Sequence, residues 1–482
     1  MAITADHRLA GLEGQLSGTP ALVVDLDGTL AKTDVLLESL LALLRQQPKC
    51  ILALPIWLLQ GRAHFKQEIA RRVSLDVGLL PYREQLLDYV KAQRAQGRTV
   101  VLATGGDVRI AEQVADHLKL FDLVLASDGH TNLSAECKQR RLVEEFGEKG
   151  FDYVGNAPCD LAVWASARKA IVVNPSPRVR SRVARVTQVD RIFEDGGLGF
   201  GDYIKTLRPQ QWLKNLLVFV PLLGAHRADE IALLGKALLA FVAFGCLASG
   251  GYLMNDLLDL AADRRHPRKR YRSFAAGDLP LSYAFRMIPV LVVFGCLAGM
   301  LVSPMLAGVA LIYFALSAAY SLYARQIVLL DVLVLAGLYT LRIIAGSVSV
   351  AIWPSPWLLA FSTFLFFSLA LVKRFSELAL NHVPARGYEP SDQELLMSMG
   401  IASGYVAILV LALYINTATA HLLYKQYGVL WLLCPLLLYW ISHMWLSAHR
   451  GRMPDDPVVF AANDWTSRIL IVLMVATVAF AL

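Results

Sequence analysis

The sequence predicts two fold classes in one chain: an α/β domain on a parallel sheet over residues 1–197, then an all-α bundle of nine transmembrane helices over 198–482. Three observations predict this. Hydrophobic residues make up 56% of the chain and mean hydropathy is +0.48, too high for a wholly soluble protein. The excess is uneven, because residues 1 to about 200 are of ordinary soluble composition, whereas apolar runs near membrane-spanning length follow one another from about 203 to Leu482. Within the first part, short apolar strands alternate with helical stretches, the rhythm of a parallel sheet whose chemistry sits at the strand C-termini. A length of 482 residues suits two or three domains.

The net charge of +7 fits cytoplasmic membrane loops and anionic lipid or phosphate ligands, and not nucleic acid. Six scattered cysteines without a CxxC pair indicate neither a zinc site nor a disulfide framework, and suit a reducing compartment. The N-terminus is mixed and carries Asp6, His7 and Glu13, so no signal peptide is expected.

The first strand, Ala21 to Val24, runs into Asp25-Leu26-Asp27-Gly28-Thr29. Residues 35–95 are expected to form a helical cap with apolar runs Leu36–Leu44 and Ile51–Leu59. The second run is too short to span a bilayer, and is either cap core or a face that leans on the membrane. A second strand ends at Thr104; Lys138 follows; a third strand, Phe151 to Gly155, leads into Asn156 and Asp160. Val172 to Pro175 is expected as the last sheet strand and Arg178 to Arg191 as a basic helix. Glu194 to Gly201, rich in glycine, is the expected linker, with the domain boundary near 198.

The ordered set Asp25, Asp27, Thr104, Lys138 and Asp160 resembles the haloacid dehalogenase (HAD) phosphohydrolases. The resemblance implies that Asp25 attacks a phosphorus atom, that Asp27 serves as general acid and base, and that Lys138 neutralises phosphate charge. It also implies Mg²⁺ held by Asp25, Asp27 and Asp160. Asn156 departs from the family, which commonly has a carboxylate there, so an active phosphatase and a retained scaffold both stay open.

The nine expected spans lie near 203–225, 231–254, 281–302, 304–323, 327–350, 356–380, 400–420, 428–447 and 465–482. With the α/β domain inside, the cytoplasmic loops carry twelve bases: Arg264, Arg265, Arg268, Lys269, Arg270, Arg272, Arg325, Lys373, Arg374, Arg386, Arg450 and Arg452. The opposite loops carry three, Arg227, Lys236 and Lys425, so the positive-inside rule puts the polar motifs at the cytoplasmic face of an inner membrane.

The second span ends in Asn255-Asp256-Leu-Leu-Asp259-Leu-Ala-Ala-Asp263, followed by a basic run. If the helix continues, the three aspartates share one face at the membrane boundary, where hard Mg²⁺ bridged to substrate phosphate would relieve their repulsion. A solvated loop is the plainer alternative. Lys214 and Asn215 fall inside the first apolar segment, and Asp331 and Arg342 share a face of the fifth, about 16 Å apart along the axis. Ionisable groups at such depth usually face a polar cavity, although an ion pair with another span would also satisfy them. Lys373 and Glu377 are spaced i, i+4, beside Arg374.

This pattern resembles the UbiA superfamily of intramembrane prenyltransferases. Within it, Leu207 to Phe219, Asp263 to Arg272, Tyr320-Ser-Leu-Tyr323, Leu330 to Arg342 and Asp456-Pro-Val-Val-Phe resemble the decaprenyl-phosphate phosphoribosyltransferases. The resemblance implies Mg²⁺ at Asp256, Asp259 and Asp263. It implies substrate contacts from Lys214, Asn215, Asn255, Lys269, Arg270, Arg272, Tyr320, Tyr323, Arg325, Asp331, Arg342, Lys373, Arg374, Glu377 and Asp456. The implied reaction moves 5-phosphoribose from phosphoribosyl pyrophosphate (PRPP) to a polyprenyl phosphate, and the HAD-like domain would then remove the 5-phosphate. The region of Asp331 lacks the second aspartate cluster of the aromatic prenyltransferases. A prenyl diphosphate donor with an aromatic acceptor, beside a non-catalytic HAD module, is the alternative, and assembly into a homo-oligomer is left open.

Overall fold

Four consecutive apolar residues, Ala21–Val24, make strand β1, and all four are buried. Alternation sends Leu22 and Val24 to one core and Ala21 and Val23 to another, so both sheet faces are covered, as a parallel sheet requires. The computed structural model describes residues 19–197, 199–381, 387–453 and 456–482. Asp6, His7, Glu13, the boundary residue 198 and Arg386 lie outside the described residues.

The remaining strands are β2 (Val100–Asp107), β3 (Leu123–Ser127), β4 (Phe151–Gly155), β5 (Lys169–Val173) and β6 (Gln188–Phe193). All pair in parallel in the order β3-β2-β1-β4-β5-β6. The order reverses between β1 and β4, and the crevice beyond the C-termini of such neighbours is where open α/β sheets bind ligands. Two strands, β3 and β6, go beyond the sequence expectation. The expected basic helix ends earlier, at Pro177–Val186, capped by the Ser176 hydroxyl. Thr187 is extended, and Arg191 lies on edge strand β6.

The cap consists of α1 (Val35–Gln46), a 3₁₀ turn (Pro48–Leu52), α2 (Leu54–Leu59) and α3 (Arg62–Arg72). Leu43, Trp57 and Ile69 form its core, with the Arg72 guanidinium 4.6 Å from the Trp57 ring. The expected cap extends too far: helix Glu84–Ala95 sends Leu86 and Val90 into the core shared with β1, so it belongs to the sheet layer.

The chain divides into two compact units, 1–203 with 256–284, and 204–255 with 285–482. In the second, the expected first span is broken into Phe200–Thr206, a 3₁₀ stretch Pro209–Phe219 and a short helix Val220–Gly224. Left-handed Arg208 and the prolines at 209 and 221 prevent one continuous helix. Among the described residues, seven helices are long and apolar enough to cross a membrane, or eight if Pro457–Asn463 and Trp465–Ala481, bent by 84°, form one span. Nine is therefore corrected to seven or eight.

Small residues let these helices approach closely. Gly400 lies under Trp445, whose indole donates to Ser368 Oγ (3.1 Å). A Cβ on Gly346 would lie 2.0 Å from the Val218 carbonyl oxygen, whereas one on Gly337 in the same helix meets nothing within 4 Å. Gly346→Ala is therefore expected to lower the melting temperature in detergent. Gly337→Ala should leave it unchanged or raise it, since Ala is favoured over Gly in a helix by about 1 kcal/mol.

Candidate functional site

At the sheet's C-terminal edge, β1 delivers Asp25, and the Asp25 amide donates to Val154 O of β4. Lys138 Nζ donates to Asp25 Oδ1 at 2.7 Å and Thr29 Oγ1 to Asp25 Oδ2 at 3.0 Å. Asp27 accepts from Val35 N (2.8 Å) and Thr104 Oγ1 (3.2 Å). Burial, with Asp34 and Asp25 nearby, pushes the Asp27 carboxyl up to about 7. All five expected residues of this set are buried or half-buried at this edge, but Asp160 has a different task. Its Oδ2 accepts from the amides of Asn156 (3.1 Å) and Ala157 (2.9 Å), and its Oδ1 from Tyr153 OH (2.9 Å). Asp160 thus braces the loop after β4.

Asn156 stands against Gly28, where a Cβ would lie 2.3 Å from its Nδ2; Gly28 also has φ +68°. Lys66, on cap helix α3, was not foreseen: its Nζ reaches Gly105 O (2.5 Å) and Asn132 Oδ1 (2.7 Å), with Asp27 close enough to act on its charge. Its position within a helical cap gave no sequence signal. Buried Asp25 and half-buried Asp27 supply hard oxygens whose mutual repulsion a cation would relieve, which fits Mg²⁺.

The acidic segment departs from the helical expectation. The Ile231–Leu258 helix stops, Asp259 adopts φ −96°, ψ 3°, and a short helix Leu260–Arg265 follows. Asp256 and Asp263 nevertheless converge: Arg272 Nη1 donates to Asp263 Oδ2 at 2.7 Å and to Asp256 Oδ1 at 3.4 Å. Asp259 is turned to another base, Arg45 of α1, at 3.5 Å. No group of three or more metal-binding side chains gathers among the described residues. Two buried carboxylates facing one cation still fit a single Mg²⁺ completed by substrate oxygens.

This segment is folded into the first unit. Arg264 makes a two-pronged pair with Glu38 of α1 (2.7 and 2.5 Å), both nearly buried, and its Nε donates to Ala275 O. Arg265 meets Asp76 at 2.8 Å. Lys269 and Arg270 do not join the carboxylates; the Lys269 amide donates to His266 Nδ1, and Arg270 lies over Tyr271.

The second unit buries two polar networks. Asp331 is ion-paired to Arg374 and accepts from Tyr388 OH (2.6 Å), while Arg374 also reaches Glu377 (2.5 Å) and Tyr320 OH (2.6 Å). The i, i+4 pairing expected of Glu377 with Lys373 gives way to this i, i+3 pair. In the other network, Lys214 is ion-paired to Asp456, which also caps helix Pro457–Asn463, and its Nζ lies over the Tyr339 ring. Arg342 donates to Asn215 Oδ1 (2.8 Å), Tyr313 OH (2.6 Å) and Leu338 O (2.6 Å). Asp331 and Arg342 share a helix but serve separate networks. Asn255 accepts from Arg325 at 2.9 Å, and Tyr323 is largely exposed. Tyr313 and Tyr339 were missed, because a tyrosine in an apolar run looks like interface belt.

Glu38→Gln should leave Arg264 buried without its ionised partner and loosen the acidic segment. The expected outcome is faster amide hydrogen exchange over 256–284 with unchanged exchange over β1, β2 and β4.

Among known proteins, the UbiA prenyltransferase family profile matches residues 217–465. An uncharacterized protein y4nM of Sinorhizobium fredii is 37% identical over 458 residues, covering 92% of this chain and 88% of that protein. Decaprenyl-phosphate phosphoribosyltransferase of Mycobacterium tuberculosis is 37% identical over 181 residues, covering 37% of this chain and 60% of that enzyme. A solved UbiA homolog from Archaeoglobus fulgidus, bound to DMAPP and Mg²⁺, is 15% identical with a TM-score of 0.46, covering 58% of this chain and 99% of that one. With a profile match across more than half its length and a relative aligned nearly end to end, the chain belongs to the UbiA prenyltransferase family.

Proposed function

We propose that the chain transfers 5-phosphoribose from PRPP to a polyprenyl phosphate at the cytoplasmic face of an inner membrane, and that its N-terminal HAD-like domain removes the 5-phosphate from the lipid product. The observation that carries the phosphate-rich reading is Arg342. It is only 4% exposed within a membrane-length helix, and among the described residues its hydrogen-bond partners are all neutral: Asn215, Tyr313 and the Leu338 carbonyl. Asn215 Nδ2, alongside, is buried without a hydrogen-bond partner among the described residues. A cation and an orphaned donor in such surroundings call for an anionic ligand. A groove lined by Leu333, Gly337, Thr340, Ile344, Phe364 and Phe367 suits an isoprenoid chain.

Mg²⁺ held by Asp256 and Asp263 would neutralise the leaving pyrophosphate, and Mg²⁺ at Asp25 and Asp27 the transferred phosphoryl group. Arg272 and Lys214 are the chain's own counter-charges for substrate phosphates. The acceptor's phosphate oxygen is ionised near neutral pH, so attack on ribose C1 needs no strong general base. At the sheet edge, Asp25 attacks phosphorus and Asp27 gives its proton to the departing ribose oxygen; Asp27 then takes a proton from the water that cleaves the aspartyl-phosphate, which frees Asp25 and releases phosphate. Lys138 holds the nucleophile and offsets phosphate charge.

Purified protein in Mg²⁺ with radiolabelled PRPP and polyprenyl phosphate should place label in the lipid phase. Turnover only with labelled prenyl diphosphate and an aromatic acid would reject PRPP as donor. Asp256→Asn should abolish transfer; near-normal turnover would remove that aspartate from the metal site.

The phosphatase is tested separately. Asp25→Asn should stop phosphate release and leave ribosyl transfer intact. Because Asp27 must be protonated to act as acid and burial raises its carboxyl, release should fall as pH rises. Asp27→Asn should cost far more with an alkyl phosphate than with p-nitrophenyl phosphate, whose leaving group needs no proton.

A further inference from the structure

The apolar run Ile51–Leu59 divides by residue. Trp57 turns inward to the cap core, while Leu59 is 88% exposed, Leu52 82% and Ile56 57%. Such a cluster on a short helix and the 3₁₀ turn before it is a contact surface looking for a partner. We infer that this face of the cap lies in the interfacial layer of an anionic bilayer, with Leu52, Ile56 and Leu59 below the headgroups.

Three observations select a bilayer as occupant. First, the patch is tied to the end of a membrane-length helix. Arg45, seven positions before Leu52, donates to the carbonyl of Leu258, the last residue of helix Ile231–Leu258, at 3.0 Å. The Glu38–Arg264 pair anchors the same helix α1 to the segment that leaves the membrane. Second, no acidic residue occurs from Gln46 to Gln67, and exposed Lys49 and Arg62 flank the apolar face. A basic rim around exposed leucines is the make-up of an interfacial segment, and six helical residues are too few to span. Third, the same unit exposes a second apolar side chain near a membrane-helix entry. Phe200 is 80% exposed, three residues before Tyr203, which stacks edge-on against Tyr283 (5.1 Å) in the first turn of helix Leu281–Val302. The inference does not depend on the reaction catalysed.

The test uses the full chain in nanodiscs of mixed phosphatidylcholine and phosphatidylglycerol, with its six native cysteines replaced. Single spin labels are placed at Leu52→Cys, Leu59→Cys and, as aqueous reference, Glu144→Cys on exposed helix Glu136–Phe146. Labels at 52 and 59 should show an oxygen-to-nickel-complex accessibility ratio several-fold above the reference. The ratio should fall when phosphatidylglycerol is omitted, because Lys49 and Arg62 then lose their attraction to the surface. Accessibility equal to the reference would overturn the inference, as would spin–spin broadening that persists in detergent, which would assign the face to a second copy. An unchanged ratio without anionic lipid would overturn the part assigned to the basic rim.

Discussion

A charge removed from water must be met by another charge or by converging dipoles, and this requirement organises both units. In the first, Asp25 is buried with Lys138, Glu38 with Arg264, and Asp256 with Asp263 around Arg272. In the second, Asp331 is buried with Arg374 and Lys214 with Asp456. Such pairs add little net stability over apolar packing, since desolvation offsets most of the attraction. Their effect is selective: each ties two distant stretches in one register, and misplacing either partner strands a charge. Among the described residues, Arg342 differs in being met by dipoles alone.

Much of this was legible in the sequence, and for physical reasons. Membrane helices betray themselves by length and apolarity, and Leu281–Val302 falls at its expected bounds. Strand β1 was legible because a short apolar run stops at two aspartates. Edge strand β6 was not, because half-exposed Gln188–Phe193 follows a basic helix without a turn signal. The first span failed because hydropathy is blind to Pro209, Pro221 and a left-handed Arg208. In the site, residue types were legible but partners were not. Periodicity put three aspartates on one helical face, yet the helix breaks at Asp259 and the bases divide them, Arg272 taking two and Arg45 the third. Long-range partners such as Glu38 and Arg264, 226 positions apart, leave no trace in local pattern.

The proposed phosphatase reaction calls for opposite treatment of its two carboxylates. Attack by Asp25 would need an ionised oxygen; burial pushes its carboxyl up, and the Lys138 ammonium offsets part of that shift. Asp27, two residues on, is also raised by burial, with Lys66 of the cap close enough to act on it.

The folding of 256–284 with the first unit has a consequence for synthesis. The sheet and cap leave the ribosome first, but the residues that cover Glu38 and pack Gly277 against Pro81 follow only after helix Ile231–Leu258 has been made. The amino-terminal domain therefore cannot be completed while it is the only part translated. Until residues 256–284 have emerged, Glu38 waits beside an open surface, so completion of the first unit is timed by synthesis of helix Ile231–Leu258.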